Sequence, residues 1–283
     1  MGSFTVSRRA FLAGTGATVL LAACSGGSDG ESDGDDDGAL QALRVSSELY
    51  PTDTAQRFAF ALASGTDFVS GPPATIAFTT PDGGSVAPQT AKLRGDGLPA
   101  GRGIYVTETV LDQEGIWQGL VDVEGKESEL PFEVLPVASP VPGATAPISP
   151  SPTRDDPLGV DPICTRDPQC PLHDVSLTEL VGNGQSLAVM FATPARCQTQ
   201  YCGPVLDLLL DVRDEGVHPD VNAVHVEIYR SLTGAALVPT VDDWRLESEP
   251  WLFGIDGAGT VIERLDGAFD RGEIRGLLDR LSA

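Results

Sequence analysis

Apolar and polar residues alternate in short runs through the first half of the chain, over residues 39–137. Gly, Pro and Asp turns separate these runs, and alternation with a period of two is typical of half-buried strands. Together with an apolar run at residues 43–49, the pattern predicts six or seven strands and an antiparallel β-sandwich. The five clearest runs cover residues 57–62, 75–78, 104–110, 116–123 and 130–134.

A different pattern covers residues 159–283, where strand-like and helix-like runs alternate. Val205, Leu208, Leu209 and Val212 recur at helical spacing, which predicts a helix over residues 203–215 with one apolar face. Strands are expected on either side of this helix, and a hairpin and a final helix after them. This order of elements predicts an α/β domain. The expected ranges are 176–181 for a short helix, 186–191 and 223–229 for strands, 250–265 for the hairpin and 271–281 for the last helix.

A proline-rich segment separates these two regions. Eight prolines fall between Pro136 and Pro162, a density that favours an extended, semi-rigid chain and excludes a helix. We therefore place a linker at residues 138–158, between a sandwich domain and a C-terminal domain at 159–283.

The N-terminus has the features of an export signal. Residues 7–12, Ser-Arg-Arg-Ala-Phe-Leu, resemble the twin-arginine signal, and Leu21-Ala22-Ala23-Cys24 resembles a bacterial lipobox. Residues 1–23 are therefore expected to be a signal peptide, Cys24 the lipidated residue, and residues 24–38 a disordered acidic tether. An uncleaved anchor helix or an ordinary signal peptide is the alternative. The expected location is the outer face of the cell membrane, with the membrane bound through the lipid on Cys24.

The charge of the chain makes nucleic acid an unexpected partner. The sequence has 18 Lys and Arg against 41 Asp and Glu, a formal net charge of -23. No basic patch is visible that could hold a phosphate backbone. The acidic residues are those of a solvated surface.

Four cysteines remain once Cys24 is set aside, and an even number in an exported chain indicates two disulfides. Of the three possible pairings, the local ones are favoured: Cys164 with Cys170, and Cys197 with Cys202. The first pair lies in a charged, proline-containing loop and is expected to be a structural disulfide. A metal site formed by these cysteines and His173 would need free thiolates, which export disfavours, so neither a metal nor a cofactor is predicted. His225 is expected to be a satisfied strand residue.

The second pair carries a family resemblance. Cys197 and Cys202 lie between a predicted strand and a predicted helix, where the helix N-terminus stabilises a thiolate. Phe191-Ala192-Thr193-Pro194, Cys202-Gly203-Pro204 and the position of Pro250 resemble the active site and the cis-proline of thioredoxin-like proteins. The resemblance implies an α/β thioredoxin-like fold for residues 159–283. It also implies thiol-disulfide exchange, with Pro250 positioning the partner chain. The spacing is wider than the family's, so either cysteine can be the attacking thiol, with Cys197 favoured because Arg196 precedes it.

These features predict an extracytoplasmic thiol-disulfide oxidoreductase that acts on protein thiols and disulfides. One alternative is a binding or scaffold lipoprotein whose cysteines only stabilise the fold. A peroxidase or copper-delivery role is a third possibility, although no histidine near the Cys197–Cys202 pair is identifiable. The N-terminal domain resembles immunoglobulin-like domains in its pattern alone and is expected to be a spacer or a docking surface.

Overall fold

A computed structural model describes residues 39–196 and 201–283 of the chain. These residues belong to one compact unit and form twelve strands and four helices. The strands are β1 (Leu40–Arg44), β2 (Gln56–Ser64), β3 (Asp67–Val69), β4 (Ala74–Thr79), β5 (Ser85–Arg94), β6 (Ile104–Thr109), β7 (Gly115–Val123), β8 (Lys126–Val134), β9 (Leu187–Phe191), β10 (Asn222–Val226), β11 (Trp251–Ile255) and β12 (Val261–Asp266). The helices are α1 (Leu177–Leu180), α2 (Cys202–Asp214), α3 (Pro239–Asp243) and α4 (Arg271–Leu281).

The first eight strands form one antiparallel sheet in the order β1-β2-β6-β5-β4-β7-β8, with β3 paired to β2. This sheet curls until its two edge strands approach each other, and the backbone N–H of Ala42 in β1 donates to Ser128 Oγ in β8 at 2.9 Å. Alternate residues of the strands point inward, which explains the period-two pattern of the sequence. Aromatic rings fill the interior, among them Phe58, Phe78, Trp117 and Phe132.

The second sheet has four strands in the order β10-β9-β11-β12. The β9–β10 pair is parallel, while β11 runs antiparallel to both β9 and β12. Helices α2 and α4 pack on one face of this sheet, in a core that includes Met190, Leu209 and Leu277. The opposite face is covered by a second core, which includes Trp244 and Phe253.

The proline-rich segment lies along the second sheet. Gly143 N–H donates to the carbonyl of Val261 at 2.7 Å, and Ala146 N–H donates to that of Gly259 at 2.9 Å. Ser149 and Ser151 are buried. The segment thus pairs with the edge of β12. The predicted domain boundaries at 138–158 and 159 stay predictions.

The predicted fold class was wrong. The positions of the strands and of α2 and α4 match the predicted runs closely, but the molecule is predominantly β, with 35% strand and 14% helix. Strands β1–β8 form one nearly closed sheet rather than the two sheets of an immunoglobulin-like sandwich. An α/β thioredoxin-like domain is not supported, because α1 and α3 are single turns and β9–β10 is the one parallel pair among the described strands. Local hydrophobic patterns locate elements, but the sheet pairings that define a class depend on distant residues.

The predicted export signal, the lipidation site Cys24 and the acidic tether lie outside the described residues. The structure therefore gives no support to the lipoprotein and twin-arginine assignments. Among the described residues, no helix combines the length and apolar character needed to cross a membrane.

Candidate metal centre

Strand β10 supplies one histidine to a buried cluster. His225 alternates with Val224 and Val226, which face the core that contains Trp244. Its side chain therefore points to the other face of the sheet, where α2 packs. In the parallel register, His225 pairs with Met190 of β9.

A loop over residues 164–173 supplies the other members of the cluster. The backbone N–H of His225 donates to the carbonyl of Leu172 at 2.9 Å, so the end of the loop is attached to β10. Arg154 fixes the same segment, because its backbone N–H donates to the carbonyl of His173 at 2.9 Å and its guanidinium donates to that of Cys170 at 2.6 Å. These contacts hold Cys164, Cys170 and His173 against the histidine of the strand.

Four potential ligand atoms converge at this point. The sulfur atoms of Cys164 and Cys170 and one ring nitrogen each of His173 and His225 all lie within 4.8 Å of one another. The four side chains are buried, none more than 2% exposed. A single metal ion could be in contact with all four donor atoms.

Four of the six separations between the donor atoms are close to those of a tetrahedral site. His225 Nδ1 lies 3.2 Å from His173 Nε2, 3.4 Å from Cys170 Sγ and 3.8 Å from Cys164 Sγ, and Cys170 Sγ lies 3.2 Å from His173 Nε2. Zinc bonds of about 2.3 Å to sulfur and about 2.05 Å to nitrogen imply ligand separations of roughly 3.3–3.8 Å in a tetrahedron. The cluster is therefore close to the size of a tetrahedral N2S2 site.

Hydrogen bonds outside the cluster orient its members. His225 Nε2 lies 2.9 Å from the carbonyl of Ala192, just after β9, and in donating to it leaves the lone pair of Nδ1 directed at the cluster. The backbone N–H of Cys170 donates to Cys164 Sγ at 3.4 Å, an arrangement that favours a thiolate at Cys164. These two hydrogen bonds favour the metal-binding forms of His225 Nδ1 and Cys164 Sγ.

The protonation equilibria favour the metal-binding form at two of the four residues, Cys164 and His173. The hydrogen bond from Cys170 lowers the pKa of Cys164, whereas sharing that proton and burial raise the pKa of Cys170. Burial lowers the pKa of His173, which favours its neutral, metal-binding form. Burial alone would lower the pKa of His225 too, but its contact with Cys164 and the charge of Glu227 outweigh burial and raise it.

A buried carboxylate supports the loop. Glu227 directly follows β10 and is 1% exposed. Its Oε1 accepts from the backbone N–H of Thr165 at 2.6 Å and from Thr165 Oγ1 at 3.0 Å. Since Thr165 adjoins Cys164, this carboxylate fixes the position of Cys164 relative to β10, the strand that carries His225. Burial raises the pKa of Glu227.

The structure differs from the predicted Cys164–Cys170 disulfide. Both cysteines are free, and their sulfurs lie beside histidine nitrogens rather than being joined to each other. The prediction considered the two cysteines as a local pair and could not include His225, which lies far away in the sequence.

The structure describes only part of the predicted thiol-disulfide exchange site. Cys197 lies outside the described residues, while Cys202 is the first residue of α2, fully buried and disulfide-bonded. Arg196, expected to favour a thiolate at Cys197, has a guanidinium that stacks over the Tyr229 ring at 3.9 Å and donates to the carbonyl of Ser231 at 3.0 Å. Pro250 follows a cis peptide bond just before β11. The pairing of Cys197 with Cys202 and the roles of both stay predictions.

Sequence reasoning considered a metal site formed by these cysteines and His173, but set it aside because export was taken to disfavour free thiolates. In the structure His173 is 1% exposed and lies in the cluster. The spacing from Cys170 to His173 was an available signal, because two donors separated by two residues commonly bind one ion. The position of His225 in the site became evident only from the fold.

Comparison with known proteins adds no assignment: no family model matches the chain, and no curated protein matches it either.

Proposed function

We propose that this protein binds one thiophilic metal ion, Zn²⁺ in the first place, through Cys164, Cys170, His173 and His225. The main observation in support is the convergence of two sulfurs and two ring nitrogens within 4.8 Å in a buried site. Two thiolates neutralise a divalent ion, and a mixed sulfur and nitrogen set in tetrahedral arrangement suits zinc better than the hard cations Mg²⁺ and Ca²⁺.

The donor set is that of a closed site rather than a catalytic one. A catalytic zinc keeps one position for water or substrate, whereas here four protein atoms complete a tetrahedron. The burial of all four side chains also shields the ion from a substrate while the 164–173 loop is in place. The ion would therefore join the 164–173 loop to β10, and its binding energy would add to the stability of the fold.

Zinc titration of the full chain tests the proposal. Reduced, metal-free protein is titrated against a chromophoric chelator, and one ion per chain is expected. Co²⁺ should give a thiolate-to-metal charge-transfer band together with the ligand-field bands of tetrahedral coordination.

Single substitutions locate the ion. His225→Ala and Cys170→Ser should each lower the affinity by at least about 100-fold, since each removes a direct ligand and loss of a group that only orients a ligand already costs about 10- to 100-fold. His218→Ala is the matched control, because this histidine contacts Ser282 and Asp279 away from the cluster. Unchanged zinc affinity in His225→Ala, or the absence of any binding by the folded wild type, would rule the proposal out.

Thiol-disulfide exchange is a second candidate function. It is favoured by one observation, the disulfide-bonded Cys202 at the N-terminus of α2, where the helix dipole stabilises a thiolate leaving group. Because Cys202 is fully buried, this function has weaker support than metal binding. A trapped mixed disulfide in Cys202→Ser, together with a reduction potential well above about -300 mV for the wild-type pair, would support exchange. A lower potential and no trapped partner would mark a structural disulfide.

A further inference from the structure

The two thiols of the metal centre are close enough to react with each other. Both sulfurs belong to one loop, and all four donor atoms, these sulfurs included, lie within 4.8 Å. The backbone N–H of Cys170 already donates to Cys164 Sγ at 3.4 Å, so the chain folds back toward the first sulfur. A disulfide bond of about 2.05 Å needs a sulfur movement of less than about 3 Å.

We propose that the site is redox-controlled: oxidation joins Cys164 and Cys170 in a disulfide and releases the metal ion. This inference rests on the proposed metal-binding function. A thiolate can donate to the ion or share a bond with the second sulfur, and the disulfide keeps neither thiolate. His173 and His225 would then remain as two ligands of four, too few to retain the ion.

The oxidant is a small disulfide, RS–SR. One cysteine thiolate attacks a sulfur of RS–SR, forms a mixed disulfide and expels RS⁻. The second thiolate attacks the cysteine sulfur of this mixed disulfide, forms the Cys164–Cys170 bond and expels another RS⁻. Two protons from solvent convert the expelled thiolates into two RSH. The cysteines lose two electrons, RS–SR gains them, and Zn²⁺ leaves with its charge unchanged.

The loop offers a route for the oxidant to sulfurs that are buried. Asp167, Pro168 and Gln169 on its outer side are exposed. An ion pair from Arg166 to Asp207 of α2 at 2.6 Å holds the loop down, and both side chains are partly exposed. Breaking this pair would remove one of the contacts that hold the loop and make its opening easier, which brings the thiolates into contact with solvent.

The main experiment uses the full chain loaded with zinc. Oxidised glutathione is added, released zinc is followed with a chromophoric indicator, and the products are digested with trypsin. Cleavage after Arg166 separates Cys164, in residues 155–166, from Cys170, in residues 167–196. A disulfide between them therefore appears in mass spectrometry as a linked pair of peptides, which dithiothreitol separates.

The expected result is loss of one zinc per linked peptide pair and recovery of zinc binding after reduction. Zinc that stays bound under oxidation, or leaves without the linked pair, would overturn redox control while metal binding stands. Absence of zinc before oxidation would overturn both proposals. Cys170→Asp, which keeps a ligand but removes the thiol, should hold zinc in the presence of the oxidant; release from this variant at the wild-type rate would also overturn redox control.

Asp207→Asn tests the route by which the oxidant enters. A partly exposed ion pair contributes about 0.2–1 kcal/mol, so its loss should speed zinc release about 1.5- to 5-fold. Asp211→Asn is the matched control, because Asp211 lies on the same helix as Asp207 but pairs with Arg271 of α4, at 2.9 Å, rather than with the loop. Equal rates in the two variants would contradict entry by loop opening.

Discussion

Replacing Glu227 tests how the fold positions the metal ligands. Glu227→Leu keeps a similar volume but removes the carboxylate that accepts from the N–H and hydroxyl of Thr165 at 2.6 and 3.0 Å. Thr165 then loses its attachment to β10, and Cys164 beside it is no longer held in the position that the cluster needs. The change also removes a buried negative charge near the cation.

The magnitude follows from the role of such supporting groups. Loss of a residue that orients a metal ligand typically costs 10- to 100-fold in affinity, which corresponds to about 1.4–2.7 kcal/mol. We expect Glu227→Leu to weaken zinc binding by this amount. Glu227→Gln keeps one oxygen acceptor and should fall between Glu227→Leu and the wild type.

Competition against a zinc chelator measures the affinity, and urea unfolding of the metal-free variants shows whether each one folds. Glu249→Gln is the matched control: Glu249 is also buried and accepts from a backbone N–H, that of Thr193 at 2.6 Å, but this contact does not involve the 164–173 loop. Unchanged zinc affinity in a folded Glu227→Leu protein would refute the positioning role.

Three further predictions concern stability. Trp244 is fully buried, with its ring 5.0 Å from those of both Phe191 and Phe253, so Trp244→Ala should lower the free energy of unfolding by about 3–5 kcal/mol in urea titration; a loss below about 1 kcal/mol would contradict this packing. Glu273→Leu leaves the buried guanidinium of Arg57 without its 2.8 Å partner and should cost about 3–5 kcal/mol in the same assay, which a near-neutral result would disprove. Burial raises the pKa of Glu249 from its ordinary 4.5 to about 7. The folded state therefore holds this proton more tightly than the unfolded chain, and stability is lost as pH rises from 4.5 through 7. The stability of Glu249→Gln relative to wild type should be greater at pH 8 than at pH 5, and an equal difference at the two pH values would exclude the effect.

Local patterns in the sequence located most elements. The apolar positions Val205, Leu208, Leu209 and Val212 predicted a helix, and all four are buried along α2. The alternating run from Ile116 is strand β7. Such patterns depend on neighbours within a few positions, and sequence alone contains that information.

The fold class and the metal centre were missed for a common reason. The closure of β1 toward β8 joins residues as distant as Ala42 and Ser128, separated by 86 positions. The ring nitrogens of His173 and His225 meet across 52 positions. Their contact depends on the pairing of β9 with β10 and on the attachment of the loop to β10, neither of which a local pattern expresses. The expectation of an oxidising compartment also directed the cysteines toward disulfides.

X-ray absorption at the zinc edge of the metal-loaded full chain tests the central claim most directly. The account predicts two sulfur atoms at about 2.3 Å and two nitrogen atoms at about 2.0–2.1 Å around one ion, with one nitrogen lost in His225→Ala. A shell made only of oxygen and nitrogen, or one unchanged by the loss of His225, would contradict it.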